Sequence, residues 1–154
     1  MRLTTPHTLL LLVFAFIVSA CSEKAKDTHP QQLVSKRQAI FKEMTKALEP
    51  MGLVARERQD YAKGEFQAQA LALEELSRQP WVYFSADGNY PPTRAKGSVW
   101  QLPAEFKSAQ DSYLTVVDQL VKVSGSGDLP AIRSAVDAVE KSCKSCHTTF
   151  RNER

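Results

Sequence analysis

From Leu129 to Phe150 the apolar residues and cysteines fall at spacings of three, four, three, four, three and four: Leu129, Ile132, Val136, Val139, Cys143, Cys146 and Phe150. A strand alternates with period two, so this pattern can only be a helix with one unbroken buried seam. A helix of that kind is not stable alone in water; it needs other helices to cover the seam. Two cysteines lie on the seam, so they share the face of the apolar core residues.

Three further segments offer such partners. Between Gln32 and Glu49, with Met51 just beyond, Val34, Phe41, Met44, Leu48 and Met51 form one stripe, and Pro50 and Gly52 read as its stop. A second helix is predicted from about Ala55 to Gln79, with Ala62, Phe66, Ala70, Leu73 and Leu76 on one side and Pro80 after it. A third opens near Pro103, a good first-turn residue, and runs to Ser124 with Phe106, Tyr113, Val116, Val117 and Leu120 inward. "SGSGD" then connects to the last helix, and Asp128 is placed to cap it. The fold class is all-α, an antiparallel four-helix bundle. A long aromatic-rich loop, Pro80 to Leu102, separates the second and third helices; Trp81, Tyr83, Phe84, Tyr90 and Trp100 predict that it packs across the bundle.

The chain of 154 residues is one domain's worth of sequence, but its start does not belong to that domain. Arg2 precedes an apolar run from Leu9 to Val18, too short for a bilayer crossing of about 20 residues and right for a secretory leader. The run ends in Val18-Ser19-Ala20-Cys21, which resembles the lipobox of bacterial lipoproteins. That resemblance implies a leader over 1–20, a lipidated Cys21 and a membrane held through acyl chains. An ordinary leader would be cut at the same bond. Residues 21–31 then read as lipidated N-terminus and polar tether, and 32–154 as the folded domain. The net charge is +3, or +2 once Arg2 leaves with no acid beside it, and there is no basic cluster for nucleic acid.

The last helix carries the chemistry. In "CKSCH", Cys143, Cys146 and His147 stand at i, i+3 and i+4 and so face one volume of space. Zinc would need a fourth protein ligand, and beyond these three only Cys21 and His29 are left in the mature chain. A thioredoxin-like dithiol belongs near a βαβ pattern, which is absent. A disulfide suits a helical i, i+3 pair poorly and leaves His147 without a task. C-x-x-C-H is the attachment signature of a c-type haem, with two thioether bonds to the sulfurs and the histidine on the iron. One covalent haem c is the cofactor expected.

Four segments, "RQAIFKEM", "LSRQPW", "VWQLPAEFKSAQ" and "CKSCHTTFR", occur in an order that resembles the cytochromes c′ over about residues 32 to 153. The resemblance implies a high-spin iron with His147 as its only protein ligand. It implies that Phe41 stands over the vacant face, where low-spin relatives place a ligating methionine. Arg37 and Gln38 match positions near the haem propionates, with a solvated helix face as the plainer reading. Arg151 matches an arginine beside the proximal face, or else it complements the helix C-terminus. Phe150 departs from the family's usual tyrosine.

A pocket under Phe41 is expected to hold no hydrogen-bond donor for a bound diatomic, which favours nitric oxide and carbon monoxide over dioxygen. The expected function is binding of such gases, in protection or transport, by a protein that is not an enzyme. The alternative is a low-spin electron carrier with Met44 as sixth ligand, since Met44 lies one turn beyond Phe41. Redox partner proteins and a homodimer through the first two helices are further partners the resemblance allows. The expected location is the periplasm, tethered to a membrane, with Ser22 after the cysteine favouring the outer one.

Overall fold

The computed structural model describes residues 25–153. The expected leader and the lipidation site Cys21 lie outside them. Four long helices, α1 (Leu33–Ala55), α2 (Lys63–Ser77), α4 (Pro103–Val123) and α5 (Leu129–Phe150), build the bundle, with a one-turn helix α3 (Ser98–Gln101) ahead of α4. α1 packs on α2 and α5, and α4 on α2 and α5, so chain neighbours are also neighbours in space, as short up-and-down connections dictate. Met51, Phe66, Leu73, Val117, Leu120, Ile132, Val136 and Val139 are all fully or almost fully buried. Each contributes on the order of 1.5–3 kcal/mol relative to exposure.

α1 continues through Pro50 to Ala55, six residues past the expected stop. The proline removes one backbone donor, but Met51 and Val54 on the following turn are buried, and that burial offsets the local penalty. The helix ends instead in a Schellman turn. Arg58 N donates to Leu53 O at 2.9 Å and Glu57 N to Val54 O at 3.1 Å, with Glu57 left-handed at φ 57°. This consumes residues 56–62, so α2 begins at Lys63 rather than near Ala55.

The opening of α5 follows the sequence reading. Gly127 takes φ 76°, which glycine adopts freely, and the Asp128 carboxylate accepts from Ala131 N at 3.1 Å.

Residues 80–102 are not a structureless loop. They form two 3₁₀ turns, Pro80–Phe84 and Ala86–Gly88, followed by α3, and they close one end of the bundle. The chain ahead of α1 also differs from the expected tether. The Asp27 carboxylate accepts from Ser35 N at 2.8 Å and from the Tyr90 hydroxyl at 2.9 Å. Burial alone would raise its pKa, but these bonds and one from His29 N outweigh that and hold it below the usual carboxylate range. The Tyr90 hydroxyl is also the acceptor for Val34 N at 3.2 Å, so two amides at the start of α1 are satisfied from outside the helix. His29 stacks on Tyr90 with ring centroids 4.7 Å apart. From Asp27 onward the segment is docked, not free.

Candidate functional site: a haem attachment face closed by an aromatic loop

Cys143, Cys146 and His147 lie on the last two turns of α5. The cysteines are half-buried free thiols and the histidine ring is exposed. Cys143 packs against the core that includes Met44, Tyr113 and Val139. Burial first, then the neighbouring Cys146 and Glu140, pushes the Cys143 thiol from 9.0 up to about 11. Burial raises Cys146 too, and burial with Arg151 and Arg94 lowers His147. Near neutrality both sulfurs are therefore protonated thiols and the imidazole is neutral, the form that can ligate a metal.

The donor set fits a covalent haem. The three groups do not converge as ligands of one ion must, for among the described residues no three Cys, His, Asp or Glu side chains form a cation site. They are strung along one helix face instead, as separate anchoring points for a large flat group require. Beside them lies apolar aromatic surface. Phe41 meets Trp81 and Phe84 edge-on at centroid distances of 6.0 and 6.3 Å, and Phe106 joins Phe84 at 5.1 Å, Trp81 at 6.0 Å and Phe150 at 5.2 Å. Phe41 is half-buried and is brought into this cluster by the loop.

The loop is latched by Arg37, which is only 3% exposed and so is no solvated helix face. Its guanidinium donates to Tyr83 O at 2.6 Å, Gly88 O at 2.9 Å and Thr93 Oγ1 at 2.6 Å, and lies 4.5 Å over the Phe84 ring. A Cβ at position 88 would stand 2.8 Å from both Arg37 Nη1 and Tyr83 O, so only glycine permits the approach. Burial lowers the Arg37 pKa, with Tyr90 and Asp27 opposing, but an arginine stays charged regardless. Gln38 points to solvent and makes no side-chain hydrogen bond among the described residues.

The far side of the loop grips the end of α5. Ala95 and Arg151 form an antiparallel bridge, Lys96 N donates to Phe150 O at 2.9 Å and Asn152 N to Arg94 O at 2.8 Å. Lys96 Nζ reaches Thr148 O at 2.8 Å and Ser98 Oγ reaches Thr149 O at 3.2 Å, satisfying carbonyls that a helix end leaves open. Arg151 thus comes beside His147, its Nη1 being 3.3 Å from Nδ1. Met44 is buried among core residues. The sequence singles out Cys143, Cys146, His147 and Phe41, but Lys96, Ser98 and Thr93 carry no pattern of their own and are not singled out by it. Tyr113 was read only as a core position.

The family model for Cytochrome C′ matches residues 32–151. Cytochrome c′ from Alcaligenes xylosoxydans xylosoxydans is 28% identical over 128 residues, 81% of this chain and 97% of that one. Cytochrome c′ from Halomonas halodenitrificans is 28% identical over 80% of this chain and 98% of its own. Among solved structures, a nitric oxide complex of a cytochrome c prime variant from Alcaligenes xylosoxidans superposes with a TM-score of 0.77 at 26% identity, covering 83% of this chain and all of that one. A carbon monoxide-bound variant of the same protein matches equally, with a TM-score of 0.77. Frame, motif and matches agree: the chain belongs to the cytochrome c′ family, and its cofactor is one covalently bound c-type haem.

Proposed function

We propose that this protein binds small gaseous ligands, nitric oxide and carbon monoxide, at a five-coordinate haem iron whose only protein ligand is His147. The observation that carries this reading is Phe41. At the position that the family resemblance assigns to a sixth ligand, the chain has a ring with no lone pair, packed edge-on against Trp81 and Phe84. The solved relatives include complexes of both gases, which supports carrying the chemistry over.

The haem, when bound, supplies an iron centre that takes up diatomic ligands. The chain supplies the rest. Cys143 and Cys146 are the attachment sulfurs, and their half-buried position holds the group against α5. His147 offers a neutral imidazole. Arg151 Nη1 lies 3.3 Å from Nδ1, and since a guanidinium can only donate, this contact favours the tautomer with its proton on Nε2. Ligation through Nε2 would need the other tautomer, with the proton on Nδ1, which Arg151 in its present place would oppose. Phe41, Trp81 and Phe84 would keep water out of the part of the site they line. Anchoring through a lipid on Cys21 at the outer membrane of a bacterial envelope, redox partners and a homodimer complete the proposal.

The optical spectrum of the ferrous protein, before and after nitric oxide, tests it. A broad high-spin Soret band that shifts on adding the gas is the expected result. Sharp low-spin bands unmoved by the gas overturn it and make Met44 the first suspect for a sixth ligand. Replacing both Cys143 and Cys146 by serine abolishes haem that survives denaturing electrophoresis. For the anchor, Cys21→Ala releases the protein from membranes.

A further inference from the structure

Among the described residues, the buried polar side chains packed around the aromatic cluster are, with one exception, spoken for. Trp81 Nε1 donates to Ser77 O at 2.7 Å, Trp100 Nε1 to Ser85 O at 2.9 Å, and Ser77 Oγ to Glu74 O at 2.7 Å. The Arg37 guanidinium is taken up by the loop. Tyr113 is the exception. It is 5% exposed, its ring lies 6.4 Å from that of Trp81, and its hydroxyl has no hydrogen-bond partner among the described residues.

A buried phenol ordinarily finds a partner, and a site that leaves one unpaired calls for an explanation. The oxygen is not sealed in. Among the described residues the only fully enclosed side-chain nitrogen or oxygen without a partner is Arg133 Nε, so the Tyr113 oxygen is not fully enclosed. Its electrostatic neighbour is Cys143, which places it beside the haem-bearing face of α5. Burial also drives the phenol pKa upward, so the hydroxyl keeps its proton and remains a donor at any working pH.

Resting on the gas-binding reading, we propose that Tyr113 is the one hydrogen-bond donor built into the ligand pocket and determines its specificity. Its hydroxyl engages a diatomic ligand carrying partial negative charge, nitric oxide or dioxygen, and gives carbon monoxide little. The pocket is therefore not the donorless one that Phe41 and its neighbours imply in sequence.

The test compares haem-loaded wild type with Tyr113→Phe, which removes the hydroxyl and keeps the ring. In the wild type, the N–O stretch of the ferrous nitric oxide complex shifts between light and heavy water, and the variant loses that shift. Nitric oxide leaves the variant roughly five- to tenfold faster, the scale of one hydrogen bond, while carbon monoxide dissociation changes less than about twofold. The apoprotein supplies an independent readout: Tyr113→Phe melts no lower than wild type, because no bond within the protein is lost. A variant apoprotein that melts several degrees lower assigns the hydroxyl a structural role and overturns the inference. Identical stretches and dissociation rates overturn it as well, with gas binding left intact. A wild type that forms no nitric oxide complex overturns the proposed function and this inference together.

Discussion

The two ends of the bundle are fastened by different chemistry. At the end that carries the cysteines, charged and indole donors reach backbone carbonyls: Arg37 to Tyr83 and Gly88, Trp100 to Phe84 and Ser85, Lys96 to Thr148. At the opposite end, side chains meet one another near solvent, Arg56 with Glu140 at 2.9 Å and Arg133 with Glu57 at 2.7 Å, and the donors that reach carbonyls are hydroxyls, Tyr61 to Ser124 O and Ser124 Oγ to Val121 O, each at 2.8 Å. A helix-to-helix turn is satisfied by its own backbone, as the Schellman turn after α1 shows. A loop without helical hydrogen bonds has orphan carbonyls, and buried donors must come to it. The irregular end therefore depends on a few side chains, while the regular end is held by many small terms.

The largest expected effect breaks the irregular end. Arg37→Ala removes three hydrogen bonds and leaves Tyr83 O and Gly88 O without their donor, which costs about 3–5 kcal/mol in denaturant unfolding. Next comes the Cys143 thiol of the haem-free protein. Its pKa is raised on folding from 9.0 to about 11, so the folded form holds the proton more tightly. That stability is fully present below pH 9.0 and is lost as pH rises toward about 11, a loss of at most about 3 kcal/mol. Unfolding followed from pH 8 upward detects it, and Cys143→Ser flattens the profile. Tyr61→Phe, at the regular end, costs only about 1 kcal/mol. Arg56→Ala costs about 0.5 kcal/mol or less at low salt, and the difference from wild type vanishes in high salt, whereas the Arg37→Ala deficit persists. If the two losses responded alike to salt, the contrast between the ends would fail.

What the sequence made legible follows the same division. Periodicity located α4 and α5 nearly to the residue, because their seams agree with the first-turn Pro103 of α4 and the Asp128 cap of α5. It failed at Pro50, where a local breaker yields to the burial of Met51 and Val54 one turn later, information that lies on other helices. Cys143, Cys146 and His147 were legible because the chemistry demands a fixed spacing on one strip of helix. Arg37 was singled out by resemblance, but its partners at 83, 88 and 93 are 46 to 56 residues away, and no local pattern encodes such pairings. Tyr113 looked like one more residue of an apolar stripe. Only packing, which gives its neighbours partners and leaves it with none, distinguishes it.

The single guanidinium at Arg37 also has a dynamic consequence. Because one side chain holds positions 83, 88 and 93, these points cannot be released one at a time without stranding a buried charge. The segment from Pro80 to Thr93 should therefore open as one cooperative unit or not at all, with hydrogen-exchange protection of a single common value along it. Such an opening clears the aromatic wall beside Phe41 while the four helices stay folded. Arg37, together with the Tyr90 and Trp100 bonds to the same segment, sets how rarely that opening occurs.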